Sequence, residues 1–382
     1  MSCSPQRNFK VILVIVLVLV VFLFHFCLFD QKTFTLSLLG FSTIDSKSPT
    51  FPVYDVVNPQ CQKYITLEPF TSSNSEDHQA FFLETSGKSY LTGRQACSVE
   101  SAAKASGLSL KVIFKSRYVD LAKSKSFCDL YLNYQNVQFY TIDFGELFEN
   151  TPVVGIEKKV EIVVAHGVCH YSDIARLALM YKYGGFYLDM DIIVINSLRS
   201  LSNVYAMEYS KPKYTPSGLC HRSGSRLQSS HQIFNGNFHL SKGHDLPWRI
   251  LQHVNRTYDV TQNNRHMIGP EVSSSVIKNM YNFERFYNGF YPSPTGNSIS
   301  NLTILPGTAF LPADFKEIGR LLWPRTANTA LDWEHLFRCS YMVHFYSNRW
   351  GKLKVTGDAS IEAYSYLGPK YCPYSFKHLL EF

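Results

Sequence analysis

Asp189 and Asp191, separated by one residue, stand at the end of a short apolar run over 186–188 and define the chemistry to look for. Carboxylates placed this close repel each other, and a divalent cation between them resolves the conflict. Upstream, Asp173 and Arg176 are three apart in a stretch whose Ile174, Leu177, Ala178 and Tyr181 follow the i, i+3, i+4, i+7 spacing of a buried helix face. Asp173 and Arg176 then share another face near the helix start. Ser172 stands where an N-cap belongs, and Gly184-Gly185 separates the helix from the strand. A cation held at a strand end beside an Asp–Arg pair suits a nucleotide-sugar diphosphate, whose charge it offsets as the bond to the sugar breaks. The bland alternative is a solvated turn with a surface ion pair. The apolar strand, the double glycine and the Asp-X-X-Arg helix together weigh against it.

The other polar candidates carry less. His344 follows an apolar run and, read alone, is a satisfied core histidine. Asn235-Gly236 follows Ile233-Phe234, which fits either a strand end opening into a cleft or a turn. Glu271 after Gly269-Pro270 reads as the first turn of a helix. Trp248, Trp323, Trp333 and Trp350 could stack on sugar rings, but aromatics are more often core, and none is assigned. There is no Gly-rich phosphate loop, no His-Glu-X-X-His and no Gly-X-Ser-X-Gly, so Ser/His/Asp hydrolysis has no support.

The elements that must position these residues alternate. Strand-like segments at 80–83, 108–114, 137–142 and 186–188 are interleaved with helix-like ones at 98–105 and 172–183. The pattern predicts an α/β fold, a mostly parallel sheet with helices on both faces. Ligands then bind beyond the carboxyl ends of the strands. The part before residue 195 reads as a nucleotide-binding half, and the less regular remainder as the acceptor side with longer loops.

Seventeen of the 19 residues over 11–29 are Val, Ile, Leu or Phe. Insertion of such a run is favoured by about 5–10 kcal/mol before His25 is counted, and it is long enough to span as a helix. It runs into Asp30 and Gln31 with no small-residue cleavage site, so an uncleaved anchor is expected. Arg7 and Lys10 precede it, which keeps the N-terminus cytosolic and sends the rest into the lumen. The expected organisation is a cytosolic tail at 1–10, a transmembrane signal-anchor at 11–29, a Ser/Thr/Pro-rich stem at 30–78 and a catalytic domain at 79–382. Asn255 and Asn301 head glycosylation triplets. Seven cysteines lie beyond the span, an odd number, so at least one is unpaired or pairs outside the chain. The net charge of +7 comes from scattered Lys and Arg, which argues against nucleic acid as a partner.

The block over 172–191 resembles the core motif of DXD sugar transferases with the GT-A fold. More narrowly it is similar to the α1,4-glycosyltransferase family, and the likeness extends over most of 79–375. It takes in Phe81-Phe82-Leu83-Glu84-Thr85-Ser86, Cys97-Ser98-Val99-Glu100-Ser101-Ala102-Ala103, Phe234-Asn235-Gly236, Gly269-Pro270, Tyr341-Met342-Val343-His344 and Tyr371-Cys372-Pro373. The resemblance implies a retaining, metal-dependent hexosyltransferase on the Golgi membrane. Its donor is a UDP-sugar carrying galactose, N-acetylgalactosamine or N-acetylglucosamine. The acceptor is a glycan, most plausibly a terminal galactose-type residue of a glycosphingolipid, and the metal is Mn²⁺. It further implies that Asp191 binds the metal and that Asp189 serves ribose or donor sugar with a secondary metal contact. Asp173 and Arg176 hold the transferred sugar, and His344 supplies a further ligand. Asn235 joins them as a catalytic candidate on its own reading, a polar wall near the donor sugar or acceptor. Tyr346 stands where the family often has Trp. Partners include a second copy or other Golgi transferases. Two alternatives stay open: a transferase of the same fold with another donor or acceptor, mannosyl or O-glycan, and a silent partner of another transferase.

Overall fold

In this computed structural model the described residues are 58–75, 78–161, 167–208, 229–261, 268–313, 333–347, 354–360 and 362–380. The expected anchor at 11–29 lies outside them. Among the described residues no helix is long and apolar enough to cross a membrane. The strands are β1 (Tyr64–Thr66), β2 (Gln79–Glu84), β3 (Ser109–Phe114), β4 (Tyr118–Asp120), β5 (Val137–Thr141), β6 (Gly185–Leu188) and β7 (Ile192–Val194). They continue with β8 (Val204–Met207), β9 (Ser229–Ser230), β10 (Ile233–Leu240), β11 (Phe286–Tyr287), β12 (Gly289–Tyr291), β13 (Leu302–Leu305) and β14 (Met342–His344). The helices are α1 (Gly93–Ala105), α2 (Lys125–Asn133), α3 (Phe144–Phe148), α4 (Glu157–Val160) and α5 (Gly167–Tyr183). Then come α6 (Asp245–Thr257), α7 (Pro270–Tyr281), α8 (Trp333–Phe337), α9 (Ala363–Tyr371) and α10 (Pro373–Leu379).

Eight strands form one sheet in the order β12-β13-β8-β10-β6-β2-β3-β5. The half made of β6, β2, β3 and β5 is parallel. Strand β10 runs antiparallel to both β6 and β8, and β12 antiparallel to β13. The sheet is therefore mixed, which corrects the expectation of a mostly parallel one. Parallel pairing needs a long crossover. The strand–helix alternation that supplies it stops at β6, after which β7 and β8 follow with no helix between them.

All six residues of β2 are buried, as a strand covered on both faces requires. Phe82 packs with Val99 of α1 and Phe127 of α2. Phe81 belongs to the opposite layer, with Ile174 of α5, Ile250 of α6 and Ile277 of α7. Each such ring contributes about 1.5–3 kcal/mol by leaving water. A third apolar cluster joins β7 and β14 to the C-terminal helices through Ile193, Val343, Phe345, Tyr364 and Phe376.

Helix α1 starts at Gly93, five residues before the predicted segment, because Thr92 and Gln95 close a capping box. Helix α5 likewise starts at Gly167, and Ser172 is not its N-cap: buried His170 and Tyr171 carry the apolar face one turn further back. Its predicted stop holds. Gly184 has φ +68°, and a Cβ there would run into the backbone of Lys242. Of the stretch expected as a stem, residues 30–57 lie outside the description. From Asn58 the chain is folded: β1 pairs with β4, Leu67 and Phe70 are buried, and Cys61 is bonded to Cys128. Cys97 is bonded to Cys372 and Cys339 is also in a disulfide, while Cys169 is free.

From β2 the chain steps outward through β3 to β5, then returns through α5 to β6 on the other side of β2. The strand order reverses there, and such a switch point opens a crevice beyond the strand ends. Asp189 is the first residue past β6.

Candidate active site

Strand β10 bulges beside this crevice. Phe234 lies opposite Ala206 and Phe238 opposite Tyr205, so Asn235, Gly236 and Asn237 have no counterparts on β8. Asn235-Gly236 is thus neither a turn nor a strand end, but the middle of a strand bent toward the site. Asp189 N–H donates to Gly236 C=O at 2.9 Å and to Asn237 Oδ1 at 3.1 Å. Gly236 is required by space: a Cβ there would overlap Asp189 Oδ2 and the Phe234 ring.

Asp191 is anchored from β14. Its C=O accepts from Phe345 N–H at 2.8 Å, and its Oδ2 from Ser347 N–H at 2.8 Å. The β7–β14 register sets His344 opposite Ile192. His344 Nε2 then lies 2.9 Å from Asp191 Oδ1 and 3.6 Å from Asp189 Oδ2. One donor atom from each of the three residues falls within 4.8 Å of the others. Although close to Asp191, the buried Nε2 has no aligned hydrogen bond. Burial pushes the imidazole pKa down, but the Asp191 and Asp189 carboxylates overcome it and raise it to about 9. Burial raises the Asp191 carboxyl in turn, yet His344 and the Ser347 N–H hold it below the usual range. A buried nitrogen facing two carboxylates, 20–25% exposed, is a donor set that fits a divalent cation.

The other oxygen of Asp189 is committed to protein. Tyr187 O–H donates to Oδ1 at 2.7 Å, and Arg176 Nη1 is 3.6 Å away. Burial raises the Tyr187 pKa well above its ordinary value against the pull of Arg176, so the hydroxyl stays a donor. Arg176 is buried, with its guanidinium 4.3 Å over the Tyr187 ring. Its Nε donates to Ser172 C=O at 3.1 Å, Nη1 to Asn235 C=O at 2.9 Å and Nη2 to Ser172 Oγ at 2.8 Å. Nη2 is also 3.2 Å from Asp173 Oδ1. Asp173 Oδ1 accepts from Asn235 Nδ2 at 3.3 Å as well. Burial raises the Asp173 carboxyl pKa, opposed by Arg176 and reinforced by Asp189. Its free side, Oδ2, faces Gly269, whose φ of +112° starts α7. Glu271 sits in the first turn of that helix, as read from Gly-Pro.

All six predicted residues, Asp173, Arg176, Asp189, Asp191, Asn235 and His344, are therefore linked by contacts through one site. Tyr187 was not singled out, since a tyrosine in a buried strand reads as core. Its signal was its place two residues before Asp189, on the same strand face. Gly269 enters through the fold alone. Half-buried Trp248 packs on Tyr181, and Trp333 stacks on Phe337 in the core, while Trp323 and Trp350 lie outside the described residues.

Residues 92–210 match the glycosyltransferase sugar-binding region containing the DXD motif, and residues 239–379 match the alpha 1,4-glycosyltransferase conserved region. The lactosylceramide 4-alpha-galactosyltransferase of Rattus norvegicus is 35% identical over 136 residues, 34% of this chain and 37% of that one. The match thus spans little more than a third of that relative's length. The alpha-1,4-N-acetylglucosaminyltransferase of Homo sapiens is 25% identical over 308 residues, 78% of this chain and 80% of that one. Among solved structures, the PaToxG glycosyltransferase overlaps 58% of this chain and 73% of its own at 17% identity and a TM-score of 0.39. That overlap is too slight to bear on the assignment, which the sequence regions carry. The first region contains the Asp189–Asp191 turn and the second His344, and the chain belongs to the DXD-containing glycosyltransferases with an alpha 1,4-glycosyltransferase conserved region.

Proposed function

We propose that this chain is a retaining, metal-dependent transferase of the GT-A type that moves a sugar from a UDP-sugar in α1,4 linkage onto a terminal galactose-type residue of a glycosphingolipid. The observation that carries the reading is the convergence of Asp189, Asp191 and His344 around a buried, unaligned Nε2 at the strand-order reversal. Asp191 and His344, with Asp189 Oδ2, would hold Mn²⁺. When bound, the ion offsets the diphosphate charge as UDP departs. His344 Nδ1 accepts from Tyr346 N–H at 3.3 Å, so for Nε2 to serve as a ligand the ring proton must sit on Nδ1 and that contact must be given up.

The chain's own groups do the rest. Tyr187 and Arg176 hold Asp189 Oδ1, which leaves Oδ2 for the metal or the ribose. Asp173 Oδ2 is the oxygen free to accept from a donor-sugar hydroxyl, and Arg176 acts by fixing Asp173 and the Asn235 carbonyl. Asn235 borders the reacting centre from the β10 bulge. Retention follows from attack of the acceptor hydroxyl on the face that UDP leaves, with a UDP phosphate oxygen taking its proton. No carboxylate is assigned as a nucleophile.

The named relatives are a galactosyltransferase and an N-acetylglucosaminyltransferase, which supports UDP-Gal and UDP-GlcNAc as donors, with UDP-GalNAc kept as the third candidate. We further propose a type II anchor at 11–29, a stem that ends before the folded residues beginning at Asn58, a luminal catalytic domain that includes β1 and the Cys61–Cys128 bond, and residence in the Golgi membrane. The test is Mn²⁺-dependent UDP release from the three donors, with and without a β-galactoside acceptor. Acceptor-stimulated release from one donor is expected. Stimulation only by a mannoside acceptor or a GDP-sugar would point to the same fold with other substrates.

A further inference from the structure

The Cys97-Ser98-Val99-Glu100-Ser101 segment of α1 lies outside the proposed donor site, yet it touches the turn that carries it. Among the described residues, strand β7 pairs on one side only, with β14. On its other side the N–H groups of Ile192 and Val194 have no neighbouring strand and are buried. Ser98 Oγ accepts from Ile192 N–H at 3.1 Å, and Ser101 Oγ from Val194 N–H at 2.9 Å. Each hydroxyl donates its own proton back into α1, Ser98 to Arg94 C=O at 3.2 Å and Ser101 to Ser98 C=O at 2.8 Å. The two serines stand in for the carbonyls of a missing strand, and both are essentially unexposed.

The consequence falls on Asp191. The peptide between Asp191 and Ile192 is gripped at both ends, its C=O by Phe345 N–H at 2.8 Å and its N–H by Ser98 Oγ. Rotation of that plane would swing the Asp191 carboxylate away from His344. Helix α1 is itself fixed. Glu100 accepts from Tyr374 N–H at 2.9 Å and Ser375 N–H at 2.7 Å at the start of α10, and Cys97 is bonded to Cys372. We propose that Ser98 is a positioning residue for the metal site: through the Ile192 N–H it sets the direction of the Asp191 carboxylate, whereas Ser101, which accepts from Val194 two residues further along β7, serves stability alone. This rests on the metal-site reading above.

Ser98→Ala and Ser101→Ala each strand one buried N–H, so both should lower the melting temperature of the metal-free protein to a similar extent. They should differ in metal affinity. In Mn²⁺ titrations followed by thermal shift, with Asp191→Asn alongside, the Ser98→Ala midpoint should rise by about tenfold or more, and that of Ser101→Ala by less than about threefold. Ser98→Cys keeps the side-chain shape with a much weaker acceptor and makes the same comparison if the alanine variant does not fold. Equal midpoints for wild type and both Ser98 variants, with Asp191→Asn shifted, would overturn the positioning role and leave the metal site standing. An unshifted Asp191→Asn would remove the metal site and this role with it.

Discussion

Replacing Gly236 by alanine separates the packing of the site from its charge. The position needs no special backbone angle, so the substitution acts through space alone. The new Cβ overlaps Asp189 Oδ2 and the Phe234 ring by on the order of 1 Å against an ordinary contact of about 3.5 Å. Neither neighbour yields freely. The carboxylate is tied through Oδ1 to Tyr187 at 2.7 Å, so swinging Oδ2 aside breaks that bond. The Phe234 ring stands edge-on to His344 at 5.0 Å, so moving it displaces the third proposed ligand. Overpacking of this size costs about 1–3 kcal/mol, or a few degrees in melting temperature. A shift of about 1 Å at a reacting centre costs about 100-fold in rate. We therefore expect Gly236→Ala to stay folded, melt a few degrees lower and lose about two orders of magnitude in kcat/KM for UDP-sugar. Thermal melts and initial rates on the same preparation decide it. A variant with wild-type kcat/KM would show that Asp189 Oδ2 is not needed where it stands.

Arg176→Lys keeps a charge but cannot serve Ser172, Asp173 and the Asn235 carbonyl together. Activity should fall about 10- to 100-fold, and the orphaned groups should lower stability by about 1–3 kcal/mol; unchanged melting and turnover would return it to a spectator ion pair. The pH dependence has a definite sign. His344 is raised to about 9 from 6.5, so its contribution to metal-free stability is full below 6.5 and is lost as pH rises through about 9. Mn²⁺ requires the neutral ring, so binding near pH 7.5 should release close to one proton and tighten about tenfold per pH unit up to about 9. Calorimetry in two buffers of different ionisation enthalpy reads the proton, and no release would contradict the histidine's part. For topology, protease treatment of sealed microsomes should spare the C-terminal part, with glycan on exposed Asn255; digestion without detergent would refute the anchor orientation.

The parallel half of the sheet was legible because β2 and β3 are apolar runs with a helix between them, and the Gly184 stop was legible because only glycine fits there. Strand β10 was not. Its Asn235-Gly236-Asn237 segment carries turn residues, and only pairing with β6 and β8 shows that they form a bulge inside a strand. The start of α5 was misplaced because Ser172 has the right type for a cap, whereas its hydroxyl serves Arg176. His344 could not be weighed alone, since its meaning depends on β14 pairing with a strand some 150 residues away in the chain. Arg176 was readable as a partner of Asp173, but its commitment to the Asn235 carbonyl is a tertiary fact.

The most direct measurement is a Mn²⁺ titration of turnover and of thermal shift on wild type and Asp191→Asn. The substitution is nearly isosteric and removes one negative charge from the cluster with Asp189 and His344. The account predicts a folded variant whose turnover falls by orders of magnitude, with its Mn²⁺-induced stabilisation lost or moved to far higher concentration. Ordinary turnover in Asp191→Asn at the wild-type Mn²⁺ midpoint would contradict it.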